Sequence, residues 1–192
     1  MWKEYYQNTS GRKVSELLLK TLKIMEFSPR LVYDLGCGAG NESKFLASKE
    51  CLVNAYDNQI EASKYFENIP NLKFYHINLI ELDFSSPDLI IAYLSLPFLD
   101  RETFFKVWNR ILKDLKPGSY FSCSLLGNKD DWYTKKDSKK MTFTTKNEIS
   151  EHSRKDDVEI KLLNDFLITR KAVNEQNEKE WHIIEVILRK KV

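Results

Sequence analysis

The sequence predicts an α/β fold built around a mostly parallel sheet, and three observations carry that expectation. Apolar, β-prone segments alternate with segments of helical period from residue 31 to residue 126. A glycine turn, Gly36-Cys37-Gly38-Ala39-Gly40, joins the first of those strands to the helix after it. Two long strand-like segments near the C-terminus flank a short polar stretch, the pattern of a hairpin.

Each element has its own reason. Val14, Leu17, Leu18, Leu22 and Met25 follow a three-four rhythm, so residues 14–25 read as an amphipathic helix. Leu31, Val32 and Tyr33 form a short strand buried on both faces, and residues 41–48 begin the helix beyond the glycines. Residues 52–56 give a second strand ending at Asp57; a second helix follows over 60–66 and breaks before Pro70. The third and fourth strands cover 72–77 and 88–93. Residues 101–115 form a strong helix with Phe104, Phe105, Val107, Trp108, Ile111, Leu112 and Leu115 on one side. Lys116-Pro117-Gly118 stops it, and 120–126 is the fifth strand. Residues 128–147 turn polar, with Trp132, Tyr133, Met141 and Phe143 among charges, and a short helix is expected over 146–152. Strands at 158–172 and 181–188, joined by a polar turn at 174–179, close the chain.

Bulk numbers bound the function. A chain of 192 residues, 42% hydrophobic and 30% charged, fits one soluble globular domain. Thirty basic against 28 acidic residues leave a formal charge of +2, which gives no basic footprint for nucleic acid. Cys37, Cys51 and Cys123 show neither an even count nor a C-x-x-C spacing, so neither a disulfide framework nor a metal site is expected. The first residues lack an apolar signal region and no stretch approaches membrane-spanning length, so the expectation is a cytoplasmic enzyme with no membrane partner.

The glycine frame separates two cofactors. Dinucleotide sites ask for G-x-G-x-x-G, whereas this chain has G-x-G-x-G with Asp34 two residues before it. That pattern resembles motif I of the class I S-adenosylmethionine (SAM) methyltransferases. A narrower similarity is to the small bacterial tellurite-resistance methyltransferases, on residues 34–41, 88–100, 115–118 and 187–190. The resemblance implies a Rossmann-like three-layer sandwich with a seven-stranded, mostly parallel sheet ordered 3-2-1-4-5-7-6 and a C-terminal antiparallel hairpin. It implies SAM as methyl donor, a small-molecule acceptor and one domain spanning 1–192. Within that domain, residues 1–27 would be an N-terminal helical flap and 128–147 a lid; the assembly would be a monomer or homodimer. Two other readings stay open: a catalytically silent SAM-binding sensor, and a nicotinamide-dependent oxidoreductase.

Site residues follow from the same resemblance. Gly36, Cys37, Gly38 and Gly40 would wrap the methionine part of the cofactor, with Asp34 reaching toward its amino group. Asp57, beside Asn58 and seventeen residues beyond Gly40, suits a ribose diol because a carboxylate is acceptor-only; as a plain structural residue it would cap the next helix. Asn78-Leu79 stands where family members contact adenine; Asn78 can still accept a bond, or simply form a turn. Tyr93 and Ser95 lie at the end of the fourth strand, where substrate would meet the methyl group. Ser95-Leu96-Pro97-Phe98 is similar to the Asn/Asp/Ser-Pro-Pro-aromatic motif of amino-methylating enzymes but starts late and lacks a proline, so a loop is the simpler reading. His182 could take a proton, or be an ordinary partly buried strand residue. Trp132 and Tyr133 suit a lid or a loop anchor, and Tyr5, Tyr6, Thr9 and Arg12 a flap with a cationic end or a helix cap. The alternating charges over 129–161 read as a solvated surface.

Overall fold

Strand β1 (Leu31–Leu35) is buried along nearly its whole length, and its side chains alternate between two cores. Val32 points to a core with Leu17, Leu18 and Leu46, while Tyr33 and Leu35 point to one with Phe104, Trp108 and Leu112. That two-sided burial is why the strand reads as an apolar run without polar alternation. The computed structural model describes residues 2–135, 140–154, 157–173 and 175–192. Within them the helices are α1 (Trp2–Thr9), α2 (Glu16–Ile24), α3 (Asn41–Ala47), α4 (Arg101–Asp114), α5 (Asp131–Lys135) and α6 (Lys146–Ser153). The remaining strands are β2 (Leu52–Asp57), β3 (Leu72–His76), β4 (Leu89–Tyr93), β5 (Tyr120–Leu126), β6 (Val158–Lys171) and β7 (Glu178–Lys190).

The sheet order is β3-β2-β1-β4-β5-β7-β6. The β1–β2, β1–β4, β2–β3 and β4–β5 pairs are parallel, and β7 runs antiparallel to both β5 and β6. Helices α2 and α3 pack on one face and α4 and α6 on the other, giving three layers. Side chains cap three helix starts. Ser15 caps α2, which begins two residues later than the helix expected from residue 14, and accepts from the Leu17 N–H; Asp100 accepts from the Thr103 N–H and Thr145 from the Glu148 N–H.

Three expectations need correction. The segment expected as a helix over 60–66 is a 3₁₀ turn, Ile60–Tyr65, with Ala62 its buried residue. With Ala62 as its buried residue, the segment has too little apolar surface packed on the core to hold a regular α-helix. The turn expected over 174–179 is shorter, because β7 starts at Glu178 paired with Lys171. Asn174 of that turn and residues 136–139 of the expected lid lie outside the described residues. Asp130, expected on a solvated surface, is buried and forms an ion pair with Lys179, itself 4.1 and 4.0 Å above the Trp132 and Trp181 rings. A buried charge needs such a partner, and here the partner lies 49 residues away in sequence.

Candidate active site

The strand order reverses between β1 and β4, so their carboxyl ends diverge and leave a cleft. Its floor is the glycine turn. Gly36, Gly38 and Gly40 have φ of +69°, +53° and +73°, a region that side chains with a Cβ rarely adopt. A Cβ on Gly36 would stand 2.3 Å from the Ser95 Cβ, and one on Gly40 2.8 Å from the Phe66 ring. The turn hangs from the end of β2: the Gly36 and Cys37 N–H groups donate to the Tyr56 carbonyl at 2.8 and 3.1 Å, and Gly38 N–H donates to Asp57 Oδ2 at 3.0 Å.

Three carboxylates are buried along this floor. Asp34, 4% exposed, accepts from the Ser43 hydroxyl at 2.6 Å. Burial first, then the neighbouring Glu42 charge, pushes its pKa up from 3.8 to about 7 against the opposing Ser43 bond. Asp57, 5% exposed, accepts from the Gln59 N–H at 2.9 Å and from the Tyr6 hydroxyl at 3.1 Å, both on Oδ1. Burial raises the pKa of Asp57, and its hydrogen bonds from Gly38, Gln59 and Tyr6 partly offset that rise. The cap of the 3₁₀ turn is Gln59, so Asp57 braces the loop before it.

Glu42 is the third, and the sequence reading missed it. It lies in the first turn of α3 and receives both terminal nitrogens of Arg12 at 2.8 and 2.9 Å, plus the Ser15 N–H at 3.0 Å. An acid in a first helical turn ordinarily signals only a favourable dipole contact. Its partner Arg12 is 30 residues away, so no local pattern announces the pair.

Helix α1 closes the cleft from above with Trp2, Tyr5, Tyr6 and Thr9, and Arg12 follows it. The adenine-side candidates Asn78 and Leu79 line the far end, and the Asn78 side chain also accepts from the Ile80 N–H at 3.2 Å. Asn58 sits exposed at the rim.

At the end of β4 the structure brings Tyr93 and Ser95 to the cleft but occupies their hydroxyls. Tyr93 Oη meets Ser122 Oγ at 3.1 Å, and burial drives its pKa upward. Ser95 Oγ donates to the Leu35 carbonyl at 2.6 Å. Between them Leu94 has φ of +52°, a strained conformation for a branched side chain, held by the Leu94 N–H donating to Ser124 O and Oγ. No local signal marked Leu94. His182 is not brought to the cleft: it is buried on β7, packed over Gly127, with Nδ1 accepting from the Lys129 N–H at 3.1 Å and Nε2 3.0 Å from Asp165. Trp132 is held against Trp181, centroids 5.0 Å apart, and reaches Phe98 at the cleft's edge at 6.5 Å.

A glycine cradle at the reversal of a 3-2-1-4-5-7-6 sheet, closed by an antiparallel hairpin, defines the class I SAM-dependent methyltransferase fold. Within that class the chain belongs to the family described as tellurite resistance protein TehB, whose model matches residues 2–157. No curated protein sequence matches significantly. Among solved structures, TehB from Haemophilus influenzae is similar with a TM-score of 0.79 at 20% identity, covering 99% of this chain and 67% of that one. The 1,6-didemethyltoxoflavin-N1-methyltransferase of Burkholderia thailandensis, with S-adenosylhomocysteine bound, gives 0.68 at 16% identity, covering 92% and 77%. The N-methyltransferase NodS of Bradyrhizobium japonicum, also with S-adenosylhomocysteine, gives 0.67 at 14%, covering 98% and 87%.

Proposed function

We propose that this chain is a SAM-dependent methyltransferase acting on a small-molecule acceptor. The observation that carries the reading is the turn of three left-handed glycines tied through Gly38 to the buried Asp57 carboxylate. That arrangement lets a nucleoside approach the backbone closely and offers its diol a fixed acceptor. The donor set fits as well: with Glu42 paired to Arg12, Asp34 and Asp57 are the carboxylates the cleft offers to a ligand carrying an ammonium and a diol.

When bound, SAM supplies an electrophilic methyl group on positively charged sulfur. The chain's own residues then hold and orient. Asp34 would hold the ammonium, Asp57 the ribose diol, and the Asn78-Leu79 segment the base. Helix α1 and Phe98 exclude water from the strand end at Tyr93–Ser95. The hydroxyls there are committed to Ser122 and Leu35, and His182 lies elsewhere, so among the described residues the acceptor side offers no ready base. This favours a soft or already ionised acceptor such as a thiolate or a chalcogen oxyanion. We further propose a single domain over 1–192 with flap and lid as delimited above, a monomer or homodimer, a cytoplasmic location, and no nucleic-acid partner.

Calorimetric titration with SAM and S-adenosylhomocysteine tests the cofactor. Micromolar binding of both is expected, and absence of binding by folded protein removes the reading. Turnover with thiols, selenite and tellurite tests the acceptor. Methylation of amines or hydroxyls alone refutes a soft acceptor, and binding without turnover of any acceptor marks a sensor.

Asp34 adds a pH signature. Its raised pKa means that the folded state prefers the protonated carboxyl, so this group's contribution favours folding at low pH and is lost as pH rises from 3.8 through about 7. A cofactor ammonium prefers the ionised form. Binding at about pH 6 therefore releases close to one proton, and release fades above about pH 8. Titration in buffers of different ionisation enthalpy reads this directly, and Asp34→Asn should release none. Zero release by the native chain at the lower pH would remove Asp34 from the ammonium site.

A further inference from the structure

The Asp57 carboxylate is already crowded. A carboxylate offers about four acceptor positions, two on each oxygen. Oδ1 takes the Gln59 N–H and the Tyr6 hydroxyl, and Oδ2 takes the Gly38 N–H. These three bonds leave at most one position, on Oδ2, and the Asn58 N–H also bears on the carboxylate, yet a diol that engages both carboxylate oxygens needs one position on each. Gln59 and Gly38 donate from backbone that shapes the cradle itself. Tyr6 donates from α1, across 51 residues of sequence.

The rest of α1 is attached asymmetrically. Its C-terminal end is braced to the start of α3: Asn41 donates to Thr9 O at 3.0 Å and accepts from the Gly11 N–H at 2.8 Å, and Arg12 grips Glu42. Gly11 has φ of +79° with open space around it, a joint at the edge of that brace. Toward its N-terminal end α1 rests on ring contacts, Trp2 edge-on to Phe98 at 5.0 Å and Tyr6 edge-on to Tyr65 at 6.5 Å. The Tyr6 ring also covers Gly38, at 3.3 Å from where a Cβ would stand.

We propose that Tyr6 is a gating residue for the cofactor: its hydroxyl holds Asp57 Oδ1, and a ribose diol enters by taking that oxygen over as α1 turns about residues 9–12. The proposal rests on the SAM reading above. It makes the Tyr6 hydroxyl a competitor of the ligand, the opposite of a supporting contact. The two roles predict opposite signs for one atom's removal.

Tyr6→Phe keeps the ring over Gly38 and deletes only the competing donor. Hydrogen bonds to charged groups set the scale, so S-adenosylhomocysteine should bind about tenfold tighter and associate faster in stopped-flow fluorescence. The gain should recur with adenosine and vanish with 2′,3′-dideoxyadenosine, which has no diol to compete. Thermal unfolding confirms that the variant is folded. Unchanged or weaker binding of S-adenosylhomocysteine by Tyr6→Phe, with the native chain binding normally, overturns the gate and leaves the cofactor reading intact. An equal gain with the dideoxy nucleoside also overturns it. If neither folded protein binds S-adenosylhomocysteine, the cofactor reading falls and the gate with it.

Discussion

Gly38→Val folds but loses SAM and S-adenosylhomocysteine binding by at least about a hundredfold, roughly 2.7 kcal/mol. At φ of +53° a residue with a Cβ is strained, and the left-handed conformation costs about 1–2 kcal/mol. That cost alone lowers the melting temperature by only a few degrees in a chain of this size. The binding loss has a separate origin. The new Cβ starts 3.3 Å from the Tyr6 ring, and its methyls project into the cleft where the cofactor must lie against the backbone. They also displace the segment whose N–H fixes Asp57 Oδ2. Calorimetry with a parallel melting curve separates the effects. Retained affinity in folded Gly38→Val would make the turn purely structural.

Asp57→Ala is expected to weaken SAM by about 1.5–3 kcal/mol, the scale of hydrogen bonds to a charged group, or roughly 10- to 150-fold in Kd. It also strands the Gly38 and Gln59 N–H groups and the Tyr6 hydroxyl without their acceptor, so stability falls too. Leaving a buried donor unpaired costs about 1–3 kcal/mol. Asp57→Asn keeps one acceptor oxygen and should sit between the native chain and Asp57→Ala in both affinity and urea stability. If Asp57→Ala lost stability but kept its affinity, the carboxylate would serve only to brace the loop.

These variants can be chosen because part of the site is local in sequence. Asp34, Gly36, Gly38 and Gly40 stand within seven residues, and a strand followed by left-handed glycines admits few geometries. The positions of Asp57 and Asn78 are legible for a similar reason, since Asp57 ends β2, Asn78 follows β3 by two residues, and parallel register brings those strand ends together. His182 shows where such reading stops. Its residue type and strand position are compatible with proton transfer, but Lys129 and Asp165 take its two nitrogens, and both lie on other elements. Glu42 shows the converse. It reads as an ordinary first-turn acid until Arg12 folds back onto it.

The alternation of apolar runs, the glycine turn and the terminal hairpin by themselves determined a mostly parallel sheet closed by a hairpin and the floor of the cleft. Those features repeat over short distances, set by the period of strand or helix and by the φ preferences of glycine. The strand order and the three layers came only with the family resemblance. The roof was decided only in three dimensions. Tyr6 reaches Asp57 across 51 residues and Arg12 reaches Glu42 across 30; away from the cleft, Lys179 reaches Asp130 across 49. Such pairings have no sequence period. They form because the packed sheet brings buried polar groups together, and burial makes each of them costly to leave unpaired.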